Sequence, residues 1–126
     1  MERVLLDTNF LMIPGKFKVD VFHELAIDGY EPITLKNCVE ELKKLAESSG
    51  ARGGYAKIAL EMLDKNRIPI KRVISSHAGG TDKVIIQYAR ENGCAVATND
   101  RALIEGLKVY GVKIIRLRQG KTLVEE

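Results

Sequence analysis

The chain has 126 residues, 45% hydrophobic and 29% charged, with three prolines, which is the balance of one ordinary globular domain. These values exclude a disordered tail, a collagenous repeat and a two-domain enzyme, and no apolar run approaches the roughly 18 residues needed to span a bilayer. Twenty Lys+Arg against 17 Asp+Glu leave a balance of +3, which alone is weak evidence for a nucleic-acid partner. Met1-Glu2-Arg3 runs straight into strand-like residues, not a signal peptide, so a cytoplasmic protein with no membrane partner is expected.

Short β-branched runs alternate with helical stretches along the chain. Val4-Leu5-Leu6 predicts a first strand that ends at Asp7-Thr8-Asn9, and a loop with Pro14-Gly15 follows. An amphipathic helix is expected over residues 20–27, then a strand at Pro32-Ile33-Thr34-Leu35. Asn37 is the expected cap of a helix over residues 39–48, and Arg52-Gly53-Gly54 reads as a flexible or tightly turned link before a helix over 55–65. Residues 68–74 predict a third strand whose early Pro69 suits a sheet edge. After a Ser- and Gly-rich loop, Thr81 is the expected N-cap of a helix over 82–91 that Asn92-Gly93 closes. Residues 94–98 read as a strand buried on both faces, Asn99-Asp100 opens a helix to about Lys108, and residues 112–117 form the expected last strand.

Strands alternating with helices of about 10 residues imply an α/β three-layer sandwich with a mostly parallel, Rossmann-like central sheet. The expected domain covers residues 1–118, with a polar C-terminal tail at 119–126. Cys38 and Cys94 have no metal-ligand spacing and no activating histidine, so both read as buried thiols without a catalytic role.

In such a sheet, ligands bind beyond the carboxyl ends of the strands. The four successive strand–helix junctions carry Asp7, then Glu40 and Glu41, then Asp82, then Asp100. Singly, each has an ordinary reading as a turn residue, a helix-dipole acid or a solvated side chain. Jointly they repel, so each has a raised pKa or a cation stands among them. Mg²⁺ or Mn²⁺ answers that need, since both take oxygen ligands and keep several waters. His23 and His77 make no zinc set. A carboxylate-held ion suits phosphodiester hydrolysis, with Thr8, Asn9, Thr98 and Asn99 as neutral groups orienting a water or the acids. The glycines make no Walker or dinucleotide fingerprint, and Ser75 and Ser76 sit in no nucleophile elbow.

The run Leu5-Leu6-Asp7-Thr8-Asn9-Phe10-Leu11 resembles the opening motif of PIN-domain nucleases. Val39-Glu40-Glu41-Leu42 is similar to their helical acid motif, aligning Glu41, and Asp82-Lys83-Val84-Ile85-Ile86-Gln87-Tyr88-Ala89 to their D-x-x-I-x-x-x-A start. Ala97-Thr98-Asn99-Asp100-Arg101-Ala102-Leu103 resembles their T-N-D-x-x-L motif. The 77–82 loop and the Arg116-Leu117-Arg118-Gln119 ending are most similar to archaeal relatives of the small-subunit processome nuclease, although that group often has two adjacent aspartates where this chain has Asp82-Lys83. The resemblance implies a Mg²⁺- or Mn²⁺-dependent endoribonuclease, with Asp7, Glu41, Asp82 and Asp100 as metal ligands. It implies hydrolysis to a 3′-hydroxyl and a 5′-phosphate, a role in rRNA processing with a ribosome-assembly partner, and a homodimer. VapC-type toxins with an antitoxin partner, and non-catalytic RNA- or protein-binding PIN modules, are the alternatives. A phosphoacceptor receiver domain also gathers acids at strand ends, but its strand order fits poorly.

Setting the four acids aside leaves 20 basic against 13 acidic side chains, a balance of +7. Lys44, Arg52, Arg101 and Arg116 are therefore candidate phosphate contacts on RNA, and Tyr55 a candidate stacking partner for an unpaired base.

Overall fold

The sheet is built outward from two small apolar runs. Val4, Leu5 and Leu6 pair in parallel with Ala95, Val96 and Ala97, and all six are buried. Strands covered on both faces by helices need this continuous apolar character, and no alternation of polar residues survives in them. The structure is a computed structural model that describes residues 1–73 and 80–126.

The elements in chain order are β1 (Glu2–Leu6), α1 (Thr8–Leu11), α2 (Ile13–Phe17), α3 (Val21–Ile27), β2 (Tyr30–Leu35), α4 (Lys36–Ala46) and α5 (Ala51–Lys65). Then come β3 (Ile70–Lys71), α6 (Gly80–Asn92), β4 (Ala95–Ala97), α7 (Arg101–Lys108), β5 (Ile114–Arg118) and β6 (Thr122–Glu125). The strand order is β3-β2-β1-β4-β5-β6, parallel except for β6. Helices flank the sheet in two packed groups, α1, α2, α4 and α5 in one and α6 with α7 in the other. This is the expected three-layer α/β sandwich. Its order is not the 2-1-3-4-5 of phosphoacceptor receivers. The order reverses between β1 and β4, so a crevice opens beyond the carboxyl ends of those two strands.

Several local expectations change. The Pro14-Gly15 segment is helical, with Pro14 in the first turn of α2, where its missing N–H costs nothing. The Arg52-Gly53-Gly54 link is the first turn of α5. Gly53 is there because α4 and α5 meet closely: a Cβ at this position would fall 2.1 Å from the Ser48 carbonyl oxygen. The helix predicted from residue 39 begins at Lys36, which puts Asn37 inside it and not at its cap. The third strand shortens to Ile70–Lys71, with Pro69 just before it accepting a bond from Thr34 N–H; residue 74 and the serine- and histidine-bearing loop lie outside the described residues. Residues 122–125 of the expected polar tail pair with β5 as an antiparallel edge strand. Its apolar residues are only Leu123 and Val124, both half-buried, a run too short among charged neighbours to mark a strand by itself.

Candidate active site

Each acidic junction is set by local chemistry. Asp7 ends β1 and caps α1, its Oδ1 accepting from Phe10 N–H at 2.7 Å. Asp100 follows β4 and caps α7, accepting from Leu103 N–H at 2.9 Å. Asp82 lies in the first turn of α6, and Glu41 in the middle of α4. Two of the four acids, Asp7 and Asp100, thus cap helices at the sheet end where the strand order reverses, and the other two lie inside helices.

Asp7 is 6% exposed, while Asp82 and Asp100 reach solvent. Burial pushes the Asp7 carboxyl from the ordinary 3.8 up to about 6, and the Asp82 and Asp100 carboxylates add to that rise. Hydrogen bonds from the Thr98 hydroxyl and Phe10 N–H oppose it. Asp82 is raised by burial, then by Asp100 and Glu41. The four acids therefore feel one another across the crevice. Among the described residues, no lysine or arginine forms an ion pair with any of them. Nor do three His, Cys, Asp or Glu side chains there converge closely enough to hold one metal ion by themselves.

Hydroxyls hold the acids in place. Thr98 is fully buried; its hydroxyl donates to Asp7 Oδ2 and accepts from Asp100 N–H at 3.0 Å, so one side chain joins two acidic junctions. Thr81 does the same office for Glu41, donating its hydroxyl to Oε1. Thr81 is the second residue of α6 and not its cap as expected, because its hydroxyl goes to this acid on α4 and not to a backbone N–H of its own helix. The two partners lie 40 residues apart, and no local spacing connects them.

The other supporting residues divide. Asn99 spends both ends of its amide on the Leu117 backbone, at 3.1 and 2.8 Å, and so pins the β4–α7 turn to β5. Asn9 Oδ1 accepts from Arg52 Nη2 at 3.0 Å. Thr8 is buried, and its Oγ1 has no oxygen or nitrogen hydrogen-bond partner among the described residues. Cys38 lies buried beneath the site, where burial pushes its thiol up to about 11, out of nucleophilic range at neutral pH.

The basic candidates sit on two sides of the rim. Arg101 and Arg116 line a cleft of about 280 Å³ with Asn99, and Arg116 Nε lies 3.0 Å from Glu126. Arg52 and Tyr55 line a second cleft of about 500 Å³ with Asn9, Asn99 and Asp100. Lys44 is exposed in the last turn of α4 and lines neither cleft. No described helix is long and apolar enough to cross a membrane.

The profile of a family described as "PIN like domain" matches residues 4–120. Ribonuclease VapC9 of Archaeoglobus fulgidus is 30% identical over 124 residues, covering 97% of this chain and 87% of that protein. Among solved structures, the PIN domain endonuclease Utp24 superposes with a TM-score of 0.76 at 26% identity, covering 98% of this chain and 90% of that one. A domain of a functionally unknown protein from Methanocaldococcus jannaschii superposes with a TM-score of 0.66 at 20% identity, covering 100% and 98% of the two chains, a likeness of fold alone.

Proposed function

This chain belongs to the PIN-like domain family, and from that premise we propose that it is a divalent-metal-dependent endoribonuclease acting on single-stranded or looped RNA. The observation that carries the reading is Asp7: a buried carboxylate raised to about 6, facing Asp82 and Asp100 with no basic partner among the described residues. A buried carboxylate beside two others is costly unless a cation serves it.

The donor set suits Mg²⁺ or Mn²⁺. Asp7, Glu41, Asp82 and Asp100 offer carboxylate oxygens only, and these ions accept one or two carboxylates with waters completing the shell. When bound, such an ion supplies water activation and charge neutralisation for attack on phosphorus. The protein's own part is positioning. Asp7 is fixed at both oxygens, by Phe10 N–H and by Thr98, so its direction into the crevice is set before substrate arrives. Thr81 orients Glu41 in the same way. Arg52, Arg101, Arg116 and Lys44 contact phosphates without reading sequence, and Tyr55 stacks on an unpaired base. The products are a 3′-hydroxyl and a 5′-phosphate, made by a single domain that takes in β6 and acts as a homodimer in the cytoplasm.

Two biological settings suit this chemistry. The first is rRNA processing with a ribosome-assembly partner, supported by the resemblance of the chain's motifs to the small-subunit processome nuclease. The second is a toxin restrained by an antitoxin, favoured by the likeness to ribonuclease VapC9 across 97% of the chain.

The test is incubation of purified protein with single-stranded RNA and Mn²⁺, beside the Asp7→Asn variant. Cleavage by the wild type and a loss beyond about 100-fold in the variant are expected, since even groups that only support a metal ligand commonly cost 10–100-fold when lost. Cleavage that survives in Asp7→Asn would overturn the site. No cleavage by either protein would identify a non-catalytic binding module.

A further inference from the structure

The larger cleft beside the acidic rim has a chemistry that cleavage alone does not require. It opens between α1, α2 and the start of α5, and it shares Asn9, Asn99 and Asp100 with the rim itself. Its volume of about 500 Å³ lies within the range of small-ligand sites, about 300–1,000 Å³. Three aromatic residues line it, the buried Phe10 and the more exposed rings of Tyr55 and Phe17, and two cations, Lys16 and Arg52, stand among its lining residues.

Both rings are supported by glycines. A Cβ on Gly15 would stand 3.2 Å from Tyr55 Cδ1 and 3.1 Å from Tyr55 Cα, so α2 approaches α5 closely enough to back the tyrosine ring. A Cβ on Gly120 would stand 2.8 Å from Phe17 Cδ1, so the β5–β6 turn backs the phenylalanine. Phe17 nonetheless stays 41% exposed, a large apolar ring left toward the cleft without a polar edge of its own. Lys16 Nζ lies 5.2 Å from the Phe17 ring centre, and Arg52 is held by Asn9 at 3.0 Å.

Apolar walls alone would accept many hydrophobic segments. Two cations among them, and direct continuity with the rim that handles the scissile phosphate, select a planar base flanked by anionic phosphates. We infer that this cleft is a subsite for one unpaired nucleobase next to the scissile phosphodiester. Tyr55 and Phe17 supply its stacking faces, and Lys16 and Arg52 contact the flanking phosphates. This inference rests on the ribonuclease reading above and deepens it. It confines cleavage to unpaired strands, because a base paired within an A-form helix cannot splay into a side cleft. Preference among bases then follows stacking strength and not hydrogen-bond readout.

The experiment uses a fluorescein-labelled single-stranded RNA and a set of copies in which one abasic nucleotide is moved along the strand. Affinity is read by anisotropy in EDTA, and cleavage sites and rates are read with Mn²⁺. Tyr55→Ala and the exposed Phe17→Ala are each expected to weaken binding roughly five- to a hundredfold, with Tyr55→Phe near wild type. An abasic nucleotide beside the cut slows the wild type by a similar factor, and adds nothing further in Tyr55→Ala. A flat abasic scan beside the cut, or an equal abasic penalty in wild type and Tyr55→Ala, would overturn the subsite while leaving the nuclease intact. Binding that depends on Tyr55 and Phe17 without any cleavage would support the subsite and overturn the nuclease. Wild-type protein that binds no RNA would overturn both.

Discussion

The two ends of the parallel strands treat charge in opposite ways. At the amino end, Lys113 stands just before β5, 2.8 Å from Glu2 at the start of β1 and 3.2 Å from Glu125 near the end of β6. These partners push the Lys113 ammonium above its ordinary range, the Glu2 hydrogen bond foremost. At the carboxyl end, Asp7, Glu41, Asp82 and Asp100 face a crevice where, among the described residues, threonine hydroxyls and backbone N–H groups attend them and no Lys or Arg pairs with them. The first rim neutralises its own charge. The second leaves carboxylates unneutralised and buries one of them, an arrangement that costs stability and suits a ligand that brings positive charge.

The largest test of that contrast is Asp7→Asn, for which opposite effects are expected in one variant. Cleavage should be lost, while the metal-free protein becomes more stable by about 1–3 kcal/mol, because a rise of some two pKa units is worth about 1.4 kcal/mol each. The folded protein holds the Asp7 proton more tightly than the unfolded chain, since about 6 lies above the ordinary 3.8. The destabilisation is therefore complete above about pH 6 and gone below about 3.8, so stability should rise as pH falls through that window in the wild type. Urea unfolding at pH 4.5 and 7.5, on wild type and variant together, reads this directly. A variant less stable at pH 7.5 would mean that Asp7 is paired, not strained.

Thr98→Val comes next. Losing the hydroxyl should cost about 10–100-fold in cleavage and move the acid limb of the pH–rate profile upward, because the Thr98 bond favours the ionised carboxylate. A rate loss with an unmoved pH limb would reduce Thr98 to packing. Adding Mn²⁺ at a hundred times its Kd should then stabilise the fold by about 2.7 kcal/mol, seen as a higher Tm, and should do little for Asp7→Asn. The smallest effect belongs to the other rim: Lys113→Ala should leave cleavage unchanged and lower Tm by a few degrees at most, as exposed ion pairs contribute little.

Much of the site was legible because its residues perform local tasks as well. Asp7 and Asp100 cap helices, so the three-residue spacing to Phe10 and Leu103 marks them in the sequence. Asp82 opens a helix whose apolar face, Val84, Ile85, Tyr88 and Ala89, is buried as its spacing requires. Thr81 was not legible in its actual role. A threonine before a helical acid reads as a cap, and only the meeting of α6 with α4 gives its hydroxyl to Glu41.

By itself, then, the sequence determined the alternation of strands and helices, the apolar character of β1 and β4, and the acid at each junction. Periodicity and capping act over a few residues, and a single chain displays them. Tertiary structure decided what depends on distant segments meeting. Arg52-Gly53-Gly54 opens α5, and position 53 must be glycine because the Ser48 and Leu45 carbonyls pass too close for a side chain. Residues 122–125 are a strand because β5 offers an unpaired edge. Tyr55 and Phe17 share one cleft because Gly15 and Gly120, far apart in the chain, back their rings. Close packing is a property of two surfaces, and either surface alone carries only half of it.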